Sequence, residues 1–410
     1  MTEREIHRVS GELGKFLDEI AGDFGRKGRR VWGERYLCGL LLNGERKSIE
    51  PMAERLSAIE GESSDYEQGL QQFISQSPWE HARLKANLGC TLGREFERTR
   101  DAYLVVDDTG FLKQGRHSVG VHRQYTGSAG KITNCQVGVS LLIGTEHRSC
   151  PVDMELYLPR EWIDDRARRE RTGIPPEVEF CTKPTIALKL IRKAKEHGLK
   201  HTVLADAGYG DSTEFRQALN TENFLYCVAI SSTPKVIDAQ TKLGSVPKGG
   251  GVGRPPTRPI KVTRGTLDTV SVLHWALENS KDFRTISWRR GTRGAMASRF
   301  AAWRVRPAHK LSVGKIPLEE CWLLVEWPEG DAQPARYFFS NLPKTTSLRK
   351  LARTAKARWI IEQQYRELKD ELGLDHFEGR SWIGWHHHVT MTFLAYAFLS
   401  LRVRSLKKTA

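Results

Sequence analysis

Tyr103-Leu104-Val105-Val106-Asp107-Asp108-Thr109 is the stretch on which the fold turns. An apolar run leads straight into two carboxylates. Such a run reads as a buried strand. A carboxylate at the end of a buried strand is costly to desolvate unless a cation meets it. The pattern recurs at Thr202-Val203-Leu204-Ala205-Asp206-Ala207-Gly208-Tyr209. A third acid lies far downstream, in Arg358-Trp359-Ile360-Ile361-Glu362, on a basic stretch that continues to Lys369. Hard oxygen ligands are what Mg²⁺ or Mn²⁺ requires. Three such acids in a basic chain predict a divalent-cation site that faces a polyanion.

Composition bounds the reading. The 410 residues suffice for two or three domains, and 39% hydrophobic with 28% charged residues is ordinary for a globular protein. The net charge of +15 favours a nucleic-acid partner through counterion release. The seven cysteines are Cys38, Cys90, Cys135, Cys150, Cys181, Cys227 and Cys321, with no C-x-x-C pair among them. A dispersed, odd set reads as reduced thiols of a cytoplasmic protein, not as a disulfide framework or zinc site. Met1-Thr2-Glu3-Arg4-Glu5 lacks the apolar segment of a signal peptide. No stretch approaches the ~20 apolar residues that cross a membrane. The run Met391 to Leu401 reads as a buried helix.

Four blocks follow along the chain. Residues 1–100 are expected to be helical, with Ile6, Leu13, Phe16 and Leu17, and again Tyr36, Leu37, Leu40 and Leu41, near a 3.6-residue period. Ser48 is a candidate helix cap with Pro51 in the first turn, and a second helix runs through Leu70 to Ile74. These helices fit either a helix-turn-helix-like DNA reader or a bundle packed on the main domain. Residues 101–231 read as strands Leu104–Asp107, Val119–Tyr125 and Gln136–Ile143, a helix Thr185–Gly198, strand 201–206, a helix from Ser212 and strand Phe224–Ile230. That order predicts an α/β sheet flanked by helices. Residues 232–344 open with a Gly/Pro/Lys/Arg-rich loop over 232–260 and continue as strands at Ile260–Thr263, Thr285–Arg290, Phe300–Val305, Cys321–Trp327 and Arg336–Ser340. They read as a β-rich insertion. Residues 345–410 are expected to be helical, with a basic tail from Arg402 to Lys408.

At about 100° per residue, Glu362 lies about 40° round a helix from Arg358, and Lys369 about 20°. All three would share one face, beside an apolar stripe of Ile361, Tyr365, Leu368 and Leu372. A solvated face with i,i+4 pairs such as Glu362 with Arg366 explains one helix equally well. Turns likewise explain Asp107-Asp108-Thr109-Gly110 or Asp206-Ala207-Gly208-Tyr209-Gly210 taken singly. The three acids together, with the basic charge, make the functional reading.

The chain resembles the bacterial insertion-sequence transposases of the DDE superfamily, which have an RNase H-like catalytic core. The likeness is strongest in Val106 to Gly115, Gly127 to Gln136, Leu204 to Gly210 and Arg358 to Trp382. One branch carries the signature Y-x2-R-x3-E-x6-K. Arg358, Glu362 and Lys369 match its spacing, while Ala355 stands at the tyrosine position. The branch also has a β-rich insertion between the second aspartate and the glutamate, which the gap of 362 − 206 = 156 positions accommodates. The resemblance implies an RNase H-like mixed sheet, catalysis by Asp107 or Asp108 with Asp206 and Glu362, and two Mg²⁺ (or Mn²⁺) ions. It also implies cleavage of transposon terminal inverted repeats followed by 3′-hydroxyl strand transfer into target DNA, by a homodimer on double-stranded DNA. A strand alternates its faces, so Asp107 and Asp108 cannot both point into the site equally. Asp107 is favoured, because an Asp-x-Thr pattern then places Thr109.

DNA contacts are expected from Arg358, Lys369, Lys113, Arg116, Trp288 and Arg289. Trp288, followed by Arg289, Arg290 and Arg293, is the best base-stacking candidate among the insertion tryptophans, although such tryptophans are more often core. His386-His387-His388 resembles a metal cluster, but successive helical residues point about 100° apart, so a packing role is expected. Two other activities fit the residues: a transposase-derived DNA-binding protein without catalysis, and an RNase H-like nuclease without strand transfer. The presence of all three acids argues against the first.

Overall fold

A computed structural model describes residues 3–21, 24–61, 65–241, 269–291, 294–308 and 319–403. The chain divides into two compact units, Met1–His201 with Trp359–Ala410, and Thr202–Arg358. These boundaries differ from the four blocks read off composition: the N-terminal helices belong to the same unit as the first acidic strand.

The first unit begins with α1 (Glu3–Ala21), α2 (Lys27–Leu41), α3 (Ile49–Glu60), α4 (Tyr66–Ser75) and α5 (His81–Phe96). Leu13, Phe16, Leu17, Tyr36, Leu37 and Leu40 are buried, as their helical period requires. Ser48 does occupy the N-cap of α3, yet its side chain makes no capping hydrogen bond. Strands β1 (Tyr103–Leu112), β2 (His122–Thr126), β3 (Lys131–Gly144) and β4 (Ser149–Tyr157) follow, then α6 (Arg160–Asp164), α7 (Arg166–Thr172) and α8 (Lys183–Glu196). β3 pairs antiparallel with β1, β2 and β4, which is the expected meander with one strand added.

The second unit starts with β5 (Thr202–Ala205), α9 (Ala207–Gly210), α10 (Thr213–Thr221) and β6 (Tyr226–Ile230). It continues with β7 (Lys235–Asp238), β8 (Val270–Ser271), α11 (Val272–Glu278), β9 (Arg284–Gly291) and β10 (Gly294–Pro307). It ends with β11 (Cys321–Trp327), β12 (Arg336–Ser340) and α12 (Leu348–Lys356). β5 runs parallel to β6, and β6, β12, β11, β10 and β7 pair antiparallel in that order, with β9 on β10 and β8 on β7. The expected loop over 232–260 contains β7. Residues 242–260 of that loop, the strand Ile260–Thr263, Arg293 and the tail beyond residue 403 lie outside the described residues.

Two helices complete the first unit, α13 (Trp359–Arg366) and α14 (Trp382–Phe398). Every residue of α14 from Gly384 to Phe398 is buried, and the helix packs on β4, α2, α4 and α5. A helix apolar all round belongs in a core, and it joins the N-terminal bundle to the meander. The α/β class expected of an RNase H-like protein therefore holds, with strands and helices layered in each unit.

Candidate active site

Asp107 and Asp108 are the fifth and sixth residues of a ten-residue strand, not its end. The residues after them stay extended because Thr109 to Leu112 continue the ladder with β3. A Cβ on Gly110 would meet Thr126 Oγ1 at 2.0 Å, so only glycine fits there. Each of the two carboxylates offers an oxygen, within 4.8 Å of the other's.

Ladder register assigns their faces. Residues directly opposite in an antiparallel pair share a face. Asp107 lies opposite Ser140, and Asp108 opposite Val139. Ser140 Oγ and Tyr365 Oη share a 2.5 Å hydrogen bond, so the Asp107 face is the one that α13 covers. The same face carries Phe111, which meets Trp385 of α14 edge-on at 5.6 Å. Lys369 Nζ donates to Gly110 O at 2.7 Å and sits 5.7 Å over the Phe111 ring. Burial lowers the Lys369 pKa, against the opposing pull of Asp375 and Asp370. The Asp108 face meets α8 instead, where Lys183 forms an ion pair with Asp108.

Glu362 is exposed in the first turn of α13. Ile361, Leu368 and Leu372 are buried, as the apolar stripe predicts. The single-face geometry drawn for Arg358, Glu362 and Lys369 does not hold as an α-helix. Arg358 precedes α13, and Glu367–Glu371 forms a π-helical turn that resets the angle of Lys369. Such π turns are often found at functional sites. Glu367 accepts a 2.5 Å hydrogen bond from Tyr396 Oη of α14.

In the second unit, Asp206 follows β5 and caps α9, accepting from Gly208 N–H at 2.9 Å. A Cβ on Gly210 would lie 1.8 Å from Ala229 O of β6, which explains the second glycine of Asp-Ala-Gly-Tyr-Gly. Trp288 of β9 is half-buried, edge-on to Phe300 at 5.7 Å, with Lys356 Nζ 4.6 Å over its ring. Arg289, its neighbour, is likewise half-buried. In the first unit Lys113 is half-buried and donates to Phe377 O, with burial lowering its pKa. Arg116 is exposed, and its carbonyl accepts from Arg168 at 3.2 Å.

The three histidines diverge, as expected of successive helical residues. His386 stacks on His81 with centroids 4.8 Å apart, His387 on Trp79 at 3.6 Å, and His388 on Phe377 at 5.5 Å. Sequence reasoning missed Ser140 and Lys183. Ser140 carried no signal, being one polar residue within an apolar strand.

A family model described as "DDE superfamily endonuclease" matches residues 19–295. The chain belongs to the DDE superfamily endonucleases. The match includes Asp107, Asp108 and Asp206 and ends before Glu362. The chain is also similar to a protein of Microchaete diplosiphon named "Probable transposase for insertion sequence element IS701". The two are 36% identical over 201 residues, 48% of this chain and 48% of that protein, so the likeness spans about half of the relative's length. Members of the superfamily generally use a divalent metal, and the paired strand carboxylates are chemically suited to one. Among the described residues, no helix is long and apolar enough to cross a membrane.

Proposed function

We propose that this chain is an insertion-sequence transposase that cuts transposon ends and joins the 3′-hydroxyl to target DNA. The observation that carries the reading is the shared face of Asp107 and α13, the helix of Glu362, linked by the Ser140–Tyr365 hydrogen bond in a DDE-superfamily chain. In this reading Asp107 (or Asp108), Asp206 and Glu362 together hold two Mg²⁺ or Mn²⁺ ions. The donor set fits, since carboxylates are the ligands a hard cation selects. When bound, two such ions activate a water or 3′-hydroxyl and stabilise the leaving oxygen. The protein's own part is to fix the acids: Asp107 by its ladder, Asp206 by its cap to Gly208, and Glu362 by the docking of α13. Lys369, Arg358, Lys113, Arg116 and Arg289 supply positive charge for DNA phosphates. The +15 charge suits a double-stranded DNA partner. A homodimer on the terminal repeats would bring two ends together.

The test is cleavage and strand transfer on the element's own flanking repeats, with Mg²⁺ or Mn²⁺. Glu362→Gln keeps size and hydrogen bonding but loses an anionic ligand. Cleavage is expected to fall by several orders of magnitude with either ion, while DNA binding persists. Near wild-type cleavage by folded Glu362→Gln would remove Glu362 from the site. Cleavage without joining would identify a nuclease, and binding without cleavage a DNA-binding derivative.

A further inference from the structure

The hairpin formed by β2 and the start of β3 folds back over β1. Thr126 lies opposite Lys131 in that hairpin, and Gly110 of β1 lies opposite Val137. On a straight β3, the residues from 131 to 137 would hold Thr126 roughly 20 Å from Gly110. Yet Thr126 is buried against Gly110, its Oγ1 2.0 Å from where a Cβ would stand. Ser128 Oγ ties the turn to the same residue, donating to Gly110 O at 3.4 Å. Gly130, at φ +63°, closes the turn by donating to Thr126 O at 3.0 Å. Gly110 shares a strand face with Asp108, two residues before it. The hairpin is therefore a flap pinned beside the carboxylates of β1. Neighbouring strand residues point to opposite sides. With Thr126 turned onto β1, Tyr125 and its cross-strand partner Ile132 turn outward, and they are 62% and 60% exposed. Arg123, two residues before Tyr125, shares their face and is exposed, as is Lys131 beside the turn. No acid occurs from Thr109 to Thr145, although the chain holds 49 in 410 residues. The flap thus offers an apolar pair flanked by cations and free of carboxylates. That combination suits a nucleic-acid strand, bases against the apolar pair and phosphates against the cations. A protein partner of mixed charge would find no acid here to meet its own cations.

We propose that the outer face of this hairpin binds DNA beside the cut, with a base lodged against Tyr125 and Ile132 and the flanking phosphates on Arg123 and Lys131. The proposal rests on the transposase reading above and adds to it a contact with a base drawn out of the regular stack. An aromatic ring holds any base by its face, and an aliphatic side chain beside it wedges open the adjoining step. Because the turn is pinned to Gly110, a base held there is fixed relative to Asp108. The contact therefore serves to position the strand for cleavage as well as to bind it.

Photocrosslinking of the full chain carrying Tyr125→benzoylphenylalanine to the element's own labelled flanking repeats tests this. Crosslinks to nucleotides next to the cut are expected, and they should persist in the Glu362→Gln background, where the substrate is not consumed. Crosslinks only to a second copy of the chain would overturn the proposal and make this face a dimer contact. Tyr125→Ala combined with Ile132→Ser should weaken binding of the repeats on the order of 5- to 150-fold. Both side chains are largely exposed, so melting followed by circular dichroism should be nearly unchanged. Tyr125→Phe and Tyr125→Trp, which keep a stacking ring, should bind like wild type. Arg123→Ala and Lys131→Ala should each lower the slope of log affinity against log salt by about one. Wild-type affinity and cleavage in the folded double variant would overturn this inference alone. A wild-type chain that binds no repeat DNA would bring down the transposase reading with it.

Discussion

Gly210→Ala adds one methyl group where the second acid's turn meets β6. The new Cβ would lie 1.8 Å from Ala229 O, 2.9 Å from its carbonyl carbon and 3.3 Å from Val228 Cβ. Real Cβ contacts do not fall below 3.0 Å, so something must move by at least 3.0 − 1.8 = 1.2 Å. β6 cannot easily yield, because it is hydrogen-bonded to β5 on one side and β12 on the other. The four-residue helix α9 is the softer partner, and Asp206 is its cap. The displacement therefore reaches the carboxylate. A misplacement of about 1 Å in a reacting constellation costs about 10²-fold in rate. Overpacking of this kind costs roughly 1–3 kcal/mol in stability. Cleavage of labelled transposon ends should fall about 10²-fold, with DNA affinity kept and the melting temperature only modestly lowered. Folded Gly210→Ala that cuts within a few-fold of wild type would refute the coupling of this turn to the chemistry.

Two further outcomes follow from charge. DNA affinity should fall on the order of 10³–10⁵ between 50 and 200 mM salt if six to ten phosphates are contacted, read by fluorescence anisotropy; a flat response would assign the +15 charge to another partner. Burial pushes the pKa of His388 down to about 4 and that of His81 to about 3, both below the unfolded value near 6.5. The unfolded chain then binds more protons, so this stability is present above about pH 6.5 and is lost as pH falls toward about 4. Melting temperature should be flat from pH 7 to 8 and drop steeply below about 6.5, and a drop confined below pH 4 would refute neutral histidines in this core.

The strands that carry the acids were legible because apolar runs and hard ligands are local signals. β4 was missed: Pro151, Asp153 and Glu155 spoil an apolar run, and Pro argues against an inner strand. Its period-two alternation of Val152, Met154 and Leu156 was present, but the charges between them are tolerated only because Lys85 and Lys193 meet them from other elements. The strand was expected to end at Asp107, since Asp-Thr-Gly mimics a turn, whereas it runs on to Leu112 and the glycine answers to Thr126. Lys356 over Trp288 was invisible for the same reason, being 356 − 288 = 68 positions away. The packing role of the three histidines was legible, because a helix cannot aim three successive side chains at one point.

The third acid depends most on tertiary support. α13 is only eight residues long and carries an exposed Glu362, so propensity alone would leave it marginal. Three side-chain links hold it and its π-helical extension. Tyr365 bonds Ser140 of β3, Lys369 bonds the β1 backbone at Gly110, and Glu367 accepts from Tyr396 of the buried α14. Two of these links end on the strand that carries Asp107 and on its partner β3, so any shift of β1 or β3 is passed to the glutamate's helix. α14 in turn is fixed to the N-terminal bundle, where His388 Nδ1 accepts from Tyr36 Oη at 2.8 Å and His388 Nε2 donates to Gly373 O at 3.0 Å. Sites held by such supporting bonds on rigid elements keep the tolerance that phosphoryl transfer needs. The residues that set the position of Glu362 are thus spread from Tyr36 to Tyr396, while its own neighbours in sequence contribute little beyond the apolar stripe.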